Sequence, residues 1–421
     1  MSSSRPATVG ATLAALPVWQ ARLGAMAACT LPGIFMRLSG VHPPPMLGLL
    51  AFGGSVVAAA FMLAWAAEAA EVDLSPGLAT AGVALVAVLP EYVIEIYFAF
   101  TGQIEYVAAS LTGATRLLLA CAVGMPAIAS VLLARRGVGR LQIVDLKPQR
   151  RVDLAIIAAA SLYTPLIVLR GHLAWTDAFV LIGLYVLYLR RVATGAPEPP
   201  HLVGVAAALG ELQKRSRRRW VAGIMATSAV TILITAEPFA NAVLGTGTMI
   251  GISPYLLVQW LVPLATESPE LVIAFVLIRH DRAAQGVAVL LSSAVSQWTL
   301  ALGTLPLAYA AGAGTGPLPL LGREQVEVML TMGQALLAVA VLVTLRLRRG
   351  DSLMMLALFA LQLALPSPAI RAGLTLVYLV IAVDIFASQR WAITTLREAL
   401  RPSSWQARRY ASAARATRNA S

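Results

Sequence analysis

Four glutamates lie in two apolar stretches of the chain, in pairs spaced by one helical turn. Glu91 and Glu95 belong to "AVLPEYVIEIYF", and Glu267 and Glu270 belong to "LATESPELVIAF". A charged side chain at the centre of a membrane helix costs about 2.5 to 3.5 kcal/mol, so it needs partners there. Residues three or four apart share a helix face, so each pair directs two carboxylates to one side. Such oxygen ligands suit Na⁺, Ca²⁺ or protons rather than soft metals.

Prolines beside these glutamates add backbone oxygens to the predicted site. Because proline has no N–H, Pro90 and Pro269 each free the carbonyl four residues earlier, those of Val86 and Ala265. Free carbonyls that line a polar cavity bind cations in transporters. We therefore expect both carbonyls to join the carboxylates as ligands. The alternative is a proline kink that serves helix packing alone.

Other polar side chains fall within the apolar stretches. Arg116 must be neutralised by a carboxylate, and we expect it to occupy part of the acidic site as a tethered cation. A structural salt bridge or snorkelling to one surface is the alternative. Glu237, beside Pro238, is an accessory candidate as a proton acceptor or gate. Hydroxyls and amides, which also serve routine helix packing, form a stripe at Ser292, Ser293, Ser296, Gln297 and Thr299, with weaker counterparts at Ser110, Thr112 and Thr115.

The composition places these residues in a membrane. The 421 residues are 58% hydrophobic and 12% charged, which is too apolar for a soluble chain of this length. A helix that crosses about 30 Å of hydrocarbon needs about 20 apolar residues. This predicts an all-α, polytopic protein with eleven spans, at 46–70, 76–101, 106–134, 152–170, 174–190, 220–245, 250–278, 285–312, 325–345, 352–367 and 370–388. Residues 11–36 form a twelfth span or an interfacial helix.

The net charge of +12 is concentrated in four basic clusters, at 135–151, 190–219, 346–349 and after 390. An even number of predicted spans separates each cluster from the next, so all four face one side, as cytoplasmic loops do. This predicts a multi-pass cell-membrane protein with a cytoplasmic C-terminus and membrane lipid as a partner. Aromatic residues are mostly absent among the basic ones, so a nucleic-acid partner is not expected. Protein partners are not indicated.

Two regions repeat one pattern. The segments "DLSPGLATAGVALVAVLPE" from Asp73 and "GISPYLLVQWLVPLATESPE" from Gly251 both start near Ser-Pro and end in Pro-Glu. By the predicted spans the copies run in opposite directions, and inverted repeats that meet at the midplane are typical of secondary transporters. We expect two inverted five-helix repeats within these parts: an N-terminal interfacial or transmembrane segment (1–45), the first half (46–190), a basic cytoplasmic linker (191–219), the second half (220–367), an extra transmembrane helix (368–390) and a cytoplasmic tail (391–421).

At these residues the chain resembles the cation/calcium exchanger superfamily, whose repeats carry a motif like GTSLPEL on one helix and GNxxGSNxxN on the next. The first motif reads "AVLPEYV" and "ATESPEL" here, and "LTGATRLLL" with "SSAVSQWTLALGTLP" looks like a bacterial branch described as sodium/proton exchangers. The resemblance implies Glu91 and Glu270 as the central cation-binding carboxylates and Thr266 as a further ligand. Glu267 stands at the motif's Ser. In the second motif, Ser293 stands at the Ser, and Thr115 and Gln297 stand at Asn positions.

Extra carboxylates in one site favour protons, because neighbouring acids raise the proton affinity of a carboxylate. We therefore expect a secondary active cation antiporter that works by alternating access, with Na⁺/H⁺ exchange as the main interpretation. Glu91 and Glu270 would alternately bind a proton or a cation, assisted by Glu95 and Glu267. Exchange of Na⁺ for Ca²⁺, or of Ca²⁺ for H⁺, is the alternative, and a transport-inactive sensor or scaffold is a second one. The chain has no Ser/His dyad, HExxH or phosphate loop, so we expect no enzyme activity and no cofactor, only transiently bound Na⁺, H⁺ or Ca²⁺.

Overall fold

The structure, a computed structural model, describes residues 9–73, 88–134, 143–194, 202–314, 316–389 and 391–401. Helices account for most of these residues, which confirms the predicted all-α fold. The chain divides into two units, Met1–Tyr97 with Pro197–Pro269, and Phe98–Ala196 with Glu270–Ser421. Each unit therefore contains parts of both predicted repeats.

Sixteen α-helices and four short strands are described, in addition to a π-helical turn at Gln297–Ala301. The helices are α1 (Val9–Ser39), α2 (Pro45–Ala70), α3 (Leu89–Phe100), α4 (Ile104–Ala134), α5 (Arg151–Arg170), α6 (Trp175–Ala193), α7 (Val205–Gly210), α8 (Lys214–Ile250), α9 (Pro254–Thr266), α10 (Ser268–Arg279), α11 (Ala283–Ser296), α12 (Leu302–Gly312), α13 (Arg323–Leu342), α14 (Arg349–Ala364), α15 (Pro368–Ser388) and α16 (Trp391–Leu400). The strands are β1 (Ile143–Asp145), β2 (His172–Leu173), β3 (Leu318–Pro319) and β4 (Arg346–Arg348).

The predicted spans agree with the structure in most places. Seven described segments are long and apolar enough to cross a membrane: α2, α4, α5 with the turn before it, α8, α11 through α12, α13 and α15. The pair α9 and α10 is also long and apolar enough when taken together, and it bends by 58° at a break. The span predicted at 250–278 is therefore interrupted, because the helix ends at Thr266 and restarts at Ser268.

Two predicted spans fall short of a full crossing. The span predicted at 352–367 is α14, which has 16 residues. The span predicted at 174–190 is α6, whose Asp177, Arg190 and Arg191 make it too polar over its length. Of the predicted span 76–101, residues 76–87 lie outside the described part of the chain. The described residues thus contain seven or eight segments that meet the length and hydropathy of a span.

In the first unit, α2 packs along α1 and α8. Alanine fills much of the buried face of α2, and small residues let membrane helices approach closely. Trp19 and Leu23 place α1 in a core with Met62 and with Leu209 of the short helix α7. The N–H of Gly33 on α1 also donates to Ser55 Oγ on α2 at 3.2 Å. The segment left open between a span and an interfacial helix is therefore a helix packed on α2.

The start of α8 is tied to the end of α2 by an ion pair. The Nε and Nη2 atoms of Arg217 donate to the two oxygens of Asp73, at 2.9 and 2.8 Å. Hydrogen bonding from Arg217 lowers the pKa of the Asp73 carboxyl below its ordinary value. At its other end α8 stops at Gly251, whose φ of +71° is the left-handed conformation that glycine adopts without strain.

In the second unit, α4 packs against α11, α13 and α14, and α13 packs against α5 and α15. Leu118, Leu154, Leu290 and Leu337 are among the buried residues that these helices share. The connections are joined in pairs, because β1 pairs antiparallel with β4 and β2 with β3. The β1–β4 pairing brings the described part of the first basic cluster, residues 143–151, to the same end of this unit as the cluster at 346–349, as the charge pattern predicts.

Candidate ion-binding site

Two short helices begin at the Pro-Glu pairs. Helices α3 and α10 have 12 residues each, with proline second and glutamate third. Proline fits the first helical turn, because the N–H that it lacks would have no partner in the helix there. Glutamate is favoured at the same end by the positive end of the helix dipole. The local sequence thus fixes Glu91 and Glu270 at helix starts, and both side chains are buried.

The first unit brings together one acid from each predicted repeat. Glu267 is the residue after the last turn of α9, and its carboxyl is hydrogen-bonded to the carboxyl of Glu91. Only 1% of Glu267 and 2% of Glu91 are exposed. A carboxylate can only accept hydrogen bonds, so a bond between two carboxyls requires that one of them carries a proton.

Apolar packing holds this pair away from solvent. Leu89 and Val93, on either side of Glu91 in α3, pack against Leu63 of α2 and Ile232 of α8. Helices α2, α3 and α9 contain no lysine or arginine. Within the described part of the chain, the Oε1 atom of Glu267 is buried and has no hydrogen-bond partner. That oxygen is thus available to a cation.

The other predicted ligands of the first unit surround the same helix ends. Glu95 is buried one turn after Glu91. Thr266 is buried, and its hydroxyl donates to the carbonyl of Val262 at 3.1 Å, which leaves oxygen lone pairs for a ligand. The carbonyl of Ala265, predicted to be freed by the following proline, instead accepts a hydrogen bond from Ser268 Oγ at 2.9 Å. Val86 lies outside the described residues.

Glu270 belongs to the second unit, as do the polar residues of α4 and α11. Thr112 and Thr115 donate to backbone carbonyls of α4 at 2.6 and 2.9 Å. Ser293 and Ser296 donate likewise to carbonyls of α11, at 3.3 and 3.2 Å. Gln297 is buried and begins the π-helical turn, a feature that often marks functional positions. Glu91 and Glu267 belong to the first unit and these residues to the second. That the two sets form one site stays a prediction.

Arg116 is part of a buried polar network in the second unit. Its Nη2 atom lies 2.8 Å from Glu327 Oε2 on α13, and Arg371 of α15 donates to the other oxygen of that carboxylate. Gln334 donates to the carbonyl of Arg116 at 2.8 Å, and Gln362 of α14 donates to Gln334 at 2.9 Å. The contact of Arg116 with Glu327 is a structural salt bridge, the alternative given for Arg116 from the sequence. Its role as a tethered cation at the acidic site stays a prediction.

The sequence reasoning missed Glu327, the partner of Arg116, and Arg371, which binds the same carboxylate. Both lie at the edges of predicted spans, where charges are commonplace. The signal that could have found them is the need of Arg116 for an opposite charge within another apolar stretch. Their pairing also accounts for α15, the helix outside the two five-helix repeats, because α15 supplies Arg371 to the network.

Glu237 does not lie with the buried acids of the first unit. Its side chain is 45% exposed and forms an ion pair of 2.7 Å with Arg37 of α1. An exposed pair of this kind joins α1 to α8 on the surface of that unit. The exposed position of Glu237 therefore does not support the accessory role predicted for it.

Apolar helices of membrane length around buried acids define an integral, multi-pass membrane protein of the cation-transporting class. The chain belongs to the sodium/calcium exchanger protein family, whose sequence pattern matches residues 45–193 and 220–367. It is thus a cation antiporter by family.

Solved structures agree with this assignment. The crystal structure of the H⁺/Ca²⁺ exchanger CAX is similar with 32% identity and a TM-score of 0.85, over 91% of this chain and 97% of that chain. The Ca²⁺/H⁺ antiporter protein YfkE shares the fold with a TM-score of 0.59 and 14% identity, over 83% of this chain and 98% of that chain. No curated protein matches.

Proposed function

We propose that this protein exchanges Ca²⁺ for protons across a membrane. The observation that carries the proposal is the buried, hydrogen-bonded carboxyl pair of Glu91 and Glu267. Helices α2, α3 and α9 carry no lysine or arginine, and a proton or a metal cation is the positive charge that we propose to balance these acids. The two species compete for the same oxygens, which is the physical basis of antiport.

Calcium suits such a site better than sodium in two respects. Ca²⁺ takes six to eight oxygen ligands and is commonly bound by several carboxylates. Its double charge matches two ionised carboxyls, which could not both stay charged in an apolar interior without compensation. The similar CAX structure is that of an H⁺/Ca²⁺ exchanger. The Na⁺/H⁺ exchange favoured from the sequence therefore gives way to its alternative.

Under this proposal, alternating access moves the site between the two membrane faces. Glu91 and Glu270 bind the cation, and Glu95, Glu267 and Thr266 supply further oxygens. Release of Ca²⁺ on one side leaves carboxylates that take up protons, and the protonated site returns. The neutral protonated acids are what the low dielectric of the membrane favours when no metal is bound.

Purified protein in proteoliposomes with an internal pH dye tests the proposal. With the membrane potential clamped by potassium and valinomycin, external Ca²⁺ should enter in exchange for protons and raise the internal pH. Glu91→Gln should abolish the signal, whereas Glu211→Gln, which changes an exposed glutamate of the basic linker, should not. Na⁺, K⁺ and Mg²⁺ are the parallel additions. A response to Na⁺ but not to Ca²⁺ would restore the sodium/proton interpretation, and no response to any cation would support a transport-inactive protein.

A further inference from the structure

One face of helix α8 is basic in its first turns and apolar in the turns that follow. Six exposed residues, spaced by three or four positions, form this face, which we call the α8 stripe: Arg215, Arg219, Ala222, Ala226, Val230 and Leu233. Val230 and Leu233 are 56% and 59% exposed, so no described residue covers the apolar part. The stripe thus offers a cationic end and an apolar length to a single elongated partner.

The contacts between α1 and α8 show how deep the stripe lies in a membrane. Trp19 of α1 packs edge to face on Trp220, with the ring centroids 5.7 Å apart. Nearer the other end of both helices, Arg37 pairs with Glu237 at 2.7 Å. Trp220 and Glu237 are 17 residues apart, or about 26 Å along a helix, which is close to the hydrocarbon thickness of about 30 Å. Tryptophan collects at the membrane interface and charged pairs lie outside the hydrocarbon, so the basic end of the stripe lies in a headgroup layer.

The two arginines of the stripe differ from their basic neighbours in their contacts. Arg217 donates to the two oxygens of Asp73 at 2.9 and 2.8 Å, and Arg218 lies 3.8 Å from the same carboxylate. Arg217 also donates to two backbone carbonyls before α8, which fixes the start of the helix. In the described part of the chain, neither Arg215 nor Arg219 has an ion pair or a hydrogen bond. Two guanidiniums one turn apart are therefore available to an anion from outside the chain.

We infer that the α8 stripe binds one anionic phospholipid lengthwise. The guanidiniums of Arg215 and Arg219 bind the lipid phosphate, because the planar fork of arginine donates two parallel hydrogen bonds to phosphate oxygens. The acyl chains lie along the apolar part of the stripe. Its first side chains are alanines beside Gly223, where a Cβ would meet open space, so a shallow groove begins directly after Arg219.

The shape of the stripe favours a lipid over an acidic protein. An acidic protein outside the membrane would contact the arginines alone, whereas the same face continues into exposed apolar side chains at hydrocarbon depth. Trp220, which is 44% exposed, stands next to Arg219 at the level where headgroup and acyl chains join. Basic residues next to a membrane helix attract anionic lipids in particular. The inference does not depend on which cation the protein exchanges.

Native mass spectrometry of the purified protein in detergent, titrated with phosphatidylglycerol or phosphatidylcholine, tests the inference. Wild type should bind its first phosphatidylglycerol more tightly than its first phosphatidylcholine. Arg215→Gln/Arg219→Gln should bind phosphatidylglycerol about thirtyfold more weakly and phosphatidylcholine as before. Arg279→Gln/Arg282→Gln is the matched control, because it removes two exposed charges from the second unit, and it should keep the wild-type affinity. An equal loss in both double variants would overturn the inference, since it would show a general attraction to positive charge.

A competition experiment separates the whole lipid from its headgroup and from an acidic protein. Glycerophosphoglycerol, which is the headgroup without acyl chains, and polyglutamate should each displace phosphatidylglycerol only at far higher concentration. Displacement by either compound at the concentration of the lipid itself would overturn the role of the apolar part of the stripe.

A phosphatidylglycerol with a photoreactive group in its acyl chain locates the lipid without any variant. After illumination of wild type in nanodiscs, the label should be concentrated on peptides that contain residues 222–233. Concentration of the label on other peptides would refute the site even if the variants failed to fold. None of these measurements uses transport, so failure of Ca²⁺/H⁺ exchange and failure of the lipid site are distinguishable.

Discussion

Replacing Glu327 should destabilise the protein far more than replacing either arginine that it binds. Glu327 is 1% exposed, and it holds Arg116 at 2.8 Å and Arg371 on its other oxygen. These three side chains carry two positive charges and one negative charge. Glu327→Gln removes the negative charge and leaves two buried guanidiniums beside each other. Arg371→Met instead leaves one arginine with one carboxylate, which is a balanced pair.

The expected magnitudes follow from buried ion pairs elsewhere. Removing one partner of a buried pair costs about 3 to 5 kcal/mol, because the other charge is left without compensation. We expect a loss of this size for Glu327→Gln and less than half of it for Arg371→Met. At about 2 °C for each kcal/mol in a unit of roughly 250 residues, Glu327→Gln should lower the melting temperature by about 6 to 10 °C.

Thermal unfolding of the purified variants in one detergent, followed by intrinsic fluorescence, measures this order. Arg116→Met is the companion variant, since it also leaves one balanced pair. A melting temperature of Arg371→Met as low as that of Glu327→Gln would refute the reasoning. It would show that α15 contributes through packing rather than through its charge.

Three further predictions follow from the fold. Gly286→Ala should lower stability by about 1 to 3 kcal/mol in chemical denaturation, because a Cβ there would lie 2.6 Å from the carbonyl oxygen of Ala274, and an unchanged midpoint would contradict that close approach. Arg217→Ala should cost about 1.5 to 3 kcal/mol at neutral pH, since its pair with Asp73 leaves only 11% of each side chain exposed, and an unchanged stability would contradict the role of the pair. Because the pKa of Asp73 is lowered in the folded protein, the stability from this pair is present above the ordinary carboxyl pKa of about 3.9 and is lost as the pH falls through the lowered pKa. Melting curves between pH 7 and about pH 3 should therefore converge for wild type and Arg217→Ala at the acidic end.

The apolar windows predicted the membrane helices well because length and hydropathy are local properties. Helices α2, α4, α13 and α15 begin and end within a few residues of their predicted spans. The break at Glu267 was not predicted, although Pro263 and Pro269 flank it. A membrane helix can accommodate either proline as a kink. The packing around residue 267 therefore decides that the helix ends and restarts there.

The sequence predicts that the glutamates of the two repeats converge in one site, and Glu267 is described in contact with Glu91, far away in the chain. The role of these residues as cation ligands stays a prediction. Arg116 was recognised as needing a carboxylate, but Glu327 is joined to it only by tertiary structure. Local patterns show which side chains cannot stand alone in lipid, and the fold chooses their partners.

The π-helical turn at Gln297–Ala301 has a consequence for the helix that contains it. A π turn takes up one residue more than an α-helical turn, so α12 is rotated by about 100° relative to the register that α11 would have given it. Ser293 therefore keeps the register of α11, whereas Gly303 and Pro306 in α12 follow the shifted register. Deleting a single residue from this turn would rotate α12 about its own axis without changing the sequence of α12.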